Sequence, residues 1–227
     1  FDWNLSNLEV GNGFGTGRFN IYSGSQLTTS EALIGATSHF SHDGFLEVSG
    51  SNSLWSNSGT ITIGNWEWNR AGTLNVLTGA TVTTDTLTTH NQGTVTVNGG
   101  TLNANYWNIG RHVTQTGGTI DVGVLSGWAA IITTSGITKI GDNSNWELNS
   151  TITGSGTAVK EGSGTVTISS GVLSTTNLRI DSGTLQLGSG NRIGDSTNVI
   201  LNGGSLSLAN GVTEKIGALA GTSSLNL

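Results

Sequence analysis

The side chains of this chain that could do chemistry are its acids, its histidines and its tryptophans. Hydrolysis of a glycosidic bond needs two carboxylates facing each other about 5 to 9 Å apart. Asp43 and Glu47 share strand parity, but within one strand they stand roughly 13 Å apart. Asp121 and Glu47 fall at the same outward position of different repeats, with Asn75 and Thr96 at that position in the repeats between. The pattern predicts solvated surface acids and no catalytic residue.

The four histidines are His39, His42, His90 and His112. His39 and His42 share one loop with Asp43, and no further ligand closes a tetrahedral set around them. The glycine-rich nonapeptide of calcium-binding β-rolls does not occur. No metal site and no cofactor is expected. No serine has a histidine pattern beside it, and no phosphate loop or basic patch is present.

Aromatic side chains form the other candidate site. Trp66 and Trp68 flank Glu67, so in an extended loop both rings project to one side. With Tyr106 and Trp107 they could offer a stacking surface to a sugar ring, contact another subunit, or cap the core on adjacent coils. Trp55, Trp128 and Trp146 belong to the same set. Thr-x-Thr pairs resemble the water-ordering arrays of ice-binding solenoids, but Asn75, Glu47 and Asp121 interrupt the array.

The elements that must carry these residues are announced by an internal repeat. Gly17-Arg-Phe-Asn-Ile21, Gly44-Phe-Leu-Glu-Val48, Gly72-Thr-Leu-Asn-Val76, Gly93-Thr-Val-Thr-Val97, Gly164-Thr-Val-Thr-Ile168 and Gly183-Thr-Leu-Gln-Leu187 all follow one plan. Apolar residues stand at the third and fifth positions, the period-two mark of a strand with one buried face. Consecutive repeats place their glycines at short, similar intervals, as from Gly44 to Gly72, Gly72 to Gly93 and Gly164 to Gly183. Such intervals suit one coil of a parallel β-solenoid, an all-β fold. At about 20 residues per coil, the chain of 227 residues predicts about eleven coils.

Composition agrees. Only 10% of residues are charged, yet the apolar residues keep fixed offsets, which a disordered polar tract has no reason to do. Proline is absent, as expected where every strand is hydrogen-bonded above and below. There is no cysteine, so disulfides and thiol chemistry are excluded. The net charge of −6 disfavours nucleic acid and anionic membranes, and no apolar run is long enough for a transmembrane helix. The lack of any methionine, initiator included, predicts a processed or excised piece.

Two repeat styles meet near Asn149, within one continuous solenoid over 1–227. In 1–148 the coils are longer and bear aromatic loops, and a second strand ends in an aliphatic-glycine pair: Leu33-Ile34-Gly35, Ile61-Thr-Ile63-Gly64, Trp107-Asn-Ile109-Gly110 and Thr138-Lys-Ile140-Gly141. In 149–227 the coils are shorter and contain no aromatic residue. Its stretches from Ile152 to Ile168, from Gly183 to Gly188 and from Asn198 to Gly221 resemble the autotransporter-associated β-strand repeat.

That resemblance implies a single-stranded right-handed parallel β-helix in a secreted passenger region, usually without catalysis. The Ser169 to Ile180 connection departs from it by lacking a tyrosine-containing loop. The expected role is an extracellular or bacterial cell-surface scaffold or fibre. A glycan-binding adhesin and a relative of polysaccharide-degrading enzymes are the alternatives. Neither chain end carries a helical cap: Phe1 and Trp3 stand at one, Leu225 and Leu227 at the other. These ends are expected to meet copies of the same chain head to tail, or further coils of a parent chain. Surface glycans are the other partner considered; nucleic acid and membrane insertion are not expected.

Overall fold

The computed structural model describes residues 2–11, 15–35, 43–65, 71–223 and 225–226. In chain order the strands are β1 (Asp2–Val10), β2 (Gly17–Ile21), β3 (Gln26–Ile34), β4 (Gly44–Val48), β5 (Leu54–Ile63), β6 (Gly72–Leu77) and β7 (Thr81–Thr89). Next come β8 (Gly93–Asn98), β9 (Thr101–Ile109), β10 (Val113–Gly127), β11 (Ala130–Ile140), β12 (Trp146–Leu148) and β13 (Thr151–Lys160). The last are β14 (Thr165–Ile168), β15 (Val172–Ile180), β16 (Thr184–Leu187), β17 (Asn198–Leu201), β18 (Ser205–Leu208), β19 (Ala218–Gly221) and β20 (Leu225–Asn226). No helix occurs among the described residues.

Every named strand pairing is parallel, and together they wind a β-solenoid of about ten turns. Three stacks of strands enclose the core. The first runs through β1, β3, β5, β7, β9, β10, β11, β13, β15, β17 and β19. Its rungs begin at positions 2, 26, 54, 81, 101, 119, 137, 157, 177, 198 and 218, each paired with the next. Eleven rungs make ten turns, and ten strand spacings give a height of roughly 48 Å.

The first three turns are the longest, running from Asp2 to Gln26, from Gln26 to Leu54 and from Leu54 to Thr81. Later ones are shorter, as from Thr101 to Thr119 or from Asn177 to Asn198. The long early turns explain why the solenoid has about ten turns where a uniform coil length predicts eleven. The extra residues lie between the second and third stacks. Ile34 is followed by its next strand at Gly44 and Ile63 at Gly72, whereas Thr89 needs only to reach Gly93.

The second stack comprises the latter halves of β1, β3, β5, β7, β9 and β10, and then β12, β14, β16, β18 and β20. The third stack begins with β2, β4, β6 and β8, continues through the first residues of β10, β11, β13 and β15, and ends at a bridge between Leu173 and Ile193.

The pentapeptides at Gly17, Gly44, Gly72 and Gly93 stack in register, with Val95 and Val97 on Leu74 and Val76 as expected. Those at Gly164 and Gly183 belong to the second stack instead. Thr138-Lys-Ile140 likewise stands in the first stack and not beside Trp107-Asn-Ile109. A glycine-led alternation marks a strand after a turn, and the same local pattern serves any of the three faces.

Alternation sets the core. Leu46, Val48, Leu74, Val76, Val95 and Val97 are fully buried, while Thr94 and Thr96 between them are half-buried. Each fully buried aliphatic side chain contributes roughly 1.5 to 3 kcal/mol. Corner glycines let the chain turn: Gly99 and Gly203, which open the pairs Gly99-Gly100 and Gly203-Gly204, have φ of 77° and 113°.

Threonine, asparagine, glutamine and lysine side chains interrupt the aliphatic columns, and those at Thr29, Asn57, Gln115 and Lys160 are hydrogen-bonded. Trp55 Nε1 donates to Thr29 Oγ1 at 2.9 Å, Thr29 donates to Asn57 Oδ1 at 2.7 Å, and Asn57 Nδ2 donates to Thr84 Oγ1 at 3.1 Å. This buried ladder ties three turns at one register. Further along, Gln115 Nε2 donates to the carbonyls of Gly118 and Ile137, and Gln115 Oε1 accepts from Thr138.

Candidate functional site

The aromatic candidates separate. Adjacent residues of a strand point to opposite faces, so Tyr106 and Trp107 in β9 cannot share a surface. Trp107 is 0% exposed and stacks in the column of Leu87 and Leu125. Its place in an exposed aromatic surface is overturned, and packing in the core is its role. Its indole N–H finds no hydrogen-bond partner among the described residues. Tyr106 is partly exposed and its hydroxyl lies 2.6 Å from that of Ser126 on the next turn. Trp66 and Trp68 lie outside the described residues. Trp55 is buried, Trp146 half-buried, and Trp128 exposed.

At the ends, Trp3 in β1 and Leu225 in β20 are both exposed, as is Leu219 in β19. Each would be covered by one more rung, since Leu27, the next residue along the Trp3 column, is buried. Phe1 and Leu227 lie outside the described residues.

Among the described residues Glu47 and Asp121 do not come together. Glu47 lies in the third stack, in one outward column with Asn20 and Asn75, whereas Asp121 lies in the first stack beside Asn103 and Lys139. The shared column expected for Glu47 and Asp121 is therefore wrong. The cause is the same ambiguity of face. Asp121 and Glu161 flank Lys139 at 3.8 and 3.3 Å on the surface. Asp43 instead accepts the Ala71 amide. Burial alone would raise the Asp181 carboxyl. The hydrogen bonds from Arg179 and Asn202 outweigh it and hold the carboxyl below the ordinary range.

Of the histidines, His39 and His42 lie outside the described residues. Burial pushes His90 down, and the exposed His112 accepts the Ala130 amide at Nδ1. No group of three or more potential metal ligands forms among the described residues.

Two features are not foreshadowed by the strand pattern. Lys160 occupies a core position between Ile140 and Ile180, fully buried, and its amine donates to the carbonyls of Glu161, Gly162 and Ser182 at 2.8 to 3.2 Å. Desolvation lowers its pKa, with Asp142 and Glu161 pulling the other way. The second is a corner where Arg111 and His112 approach Trp128. Gly110-Arg-His and, one turn on, Trp128-Ala occupy corresponding positions of the short link into the third stack.

No family model, curated protein or solved structure matches the chain. Its assignment as a parallel β-solenoid repeat protein rests on the strand registers.

Proposed function

We propose that the chain is a non-catalytic structural β-solenoid, an extracellular scaffold that assembles end to end with copies of itself or with further coils of a parent chain. One observation carries this reading: a parallel ladder continues through eleven strands, and its outer strands β1 and β19 each pair on one side only. All four residues of β19 are exposed, and Trp3 in β1 is 57% exposed. An uncovered strand edge with apolar neighbours is a template for another strand. Contacts of this kind that do not close into a ring build an open filament.

The likeness of 149–227 to autotransporter-associated repeats favours a bacterial cell surface as the setting. The scattered acids give least support to a polysaccharide-degrading relative. Sedimentation velocity tests the assembly. The chain is expected to form species that grow with concentration, and Leu219→Lys, which places a charge on the exposed last rung, is expected to shift it towards monomer. A monomer at every concentration, or assembly indifferent to this charge, would contradict end-to-end stacking.

A further inference from the structure

Trp128 stands on the corner between the second and third stacks and is 68% exposed, more than any other large hydrophobic side chain among the described residues. The registers on either side, Ile109 with Gly127 and Val113 with Ile131, place Gly110 one turn away at the same position. A hollow opens beside the indole. It has a volume of about 260 Å³ and is lined by Asn91, Gly110, Arg111, His112 and Trp128.

Two side chains of this hollow, Arg111 and His112, offer donors. One Arg111 N–H donates to the Asn91 carbonyl at 2.8 Å, which anchors the guanidinium, and a guanidinium has further donors beyond that bond. His112 Nδ1 accepts the Ala130 amide at 3.1 Å, so the neutral imidazole carries its proton on Nε2 as a donor. No carboxylate lines the hollow among the described residues.

We propose that this corner is a binding site for a carboxylated sugar. An indole face takes the C–H face of a pyranose ring, as aromatic surfaces take apolar faces with polar rims. The fork of Arg111 matches a carboxylate in geometry and charge. The hollow is open to solvent and has room for one such ring, so the other rings of a longer ligand would lie outside it. This site goes beyond the scaffold role, and assembly could fail while binding here stands.

Isothermal titration of the full chain with trigalacturonic acid, neutral galactotriose and adenosine monophosphate tests the assignment. Saturable binding of the acid is expected, tighter than that of the neutral sugar and the nucleotide, and weakened by salt. Trp128→Ala and Arg111→Gln are each expected to lower affinity for the acid about tenfold or more. Tyr22→Ala, at an exposed aromatic residue away from the hollow, is expected to leave it unchanged. In ¹H–¹⁵N spectra the Ala130 amide and the Trp128 indole N–H are expected to shift on titration, and unchanged melting temperatures verify that the variants fold. Absence of binding, equal affinity for the neutral sugar or the nucleotide, or acid binding indifferent to Trp128→Ala would overturn the proposal.

Discussion

Val166 and Thr167 are neighbours in β14 with opposite fates. Val166 is 0% exposed, and Thr167 faces outward and is half-buried. A carboxylate at Val166 would have no partner in an aliphatic column. Val166→Asp is expected to cost about 4 kcal/mol or more, whereas Thr167→Asp stays within about 0.5 kcal/mol. Chemical denaturation of the two variants checks this, and equal midpoints would place the wrong side chain inside. Lys160 gives a second contrast. Replacing it by Met removes the donor that three corner carbonyls share, at a cost of about 1 to 3 kcal/mol. Its folded pKa lies below the ordinary 10.5, so the unfolded chain holds the proton more tightly over the interval between the two values. Stability of the native protein relative to Lys160→Met therefore rises with pH across that alkaline interval, which unfolding at a series of pH values would measure. A flat difference would mean that burial leaves the amine unperturbed.

At the scale of the element, the corners are as specified as the strands. Gly72 opens β6 where the chain passes close to the preceding turn, and a Cβ there would collide with the Ile34 carbonyl and the Gly64 amide. Both are backbone atoms in the ladder and cannot step aside cheaply. Gly72→Ala is expected to destabilise by about 2 to 4 kcal/mol while Thr73→Ala, on the outer face, stays within about 0.5 kcal/mol, as thermal unfolding would show. Period-two alternation made such strands legible in the sequence, and the registers of the Gly17, Gly44, Gly72 and Gly93 units follow from it. Which of three faces a strand joins was not legible, because Gly164-Thr-Val-Thr-Ile168 and Gly93-Thr-Val-Thr-Val97 read alike and lie in different stacks. Thr29, Asn57, Gln115 and Lys160 occupy core positions that a hydrophobic pattern reads as breaks. Most of their partners stand a full turn away in the chain, as Thr29 does from Asn57 and Lys160 from Ser182, and become visible only once the coils are stacked. The hollow at Trp128 was hidden for the same reason, since one full turn, from Gly110 to Trp128, brings its walls together.

For the whole molecule, the parallel ladder runs through eleven strands, and in the proposed assembly its end rungs are the sites of extension. Each added rung of the first stack satisfies a row of backbone donors and acceptors that the last rung leaves open. It also covers side chains such as Leu219 that are otherwise exposed. Pairing of this kind must close a whole turn, such as that from Gln26 to Leu54, before any ladder forms, which is the kind of non-local contact that slows folding. Electron microscopy of the purified chain in negative stain is the most direct measurement. Rods much longer than the roughly 48 Å of one ten-turn solenoid, lost in Leu219→Lys, are the predicted result. Isolated particles no longer than a single solenoid at every concentration would contradict end-to-end assembly.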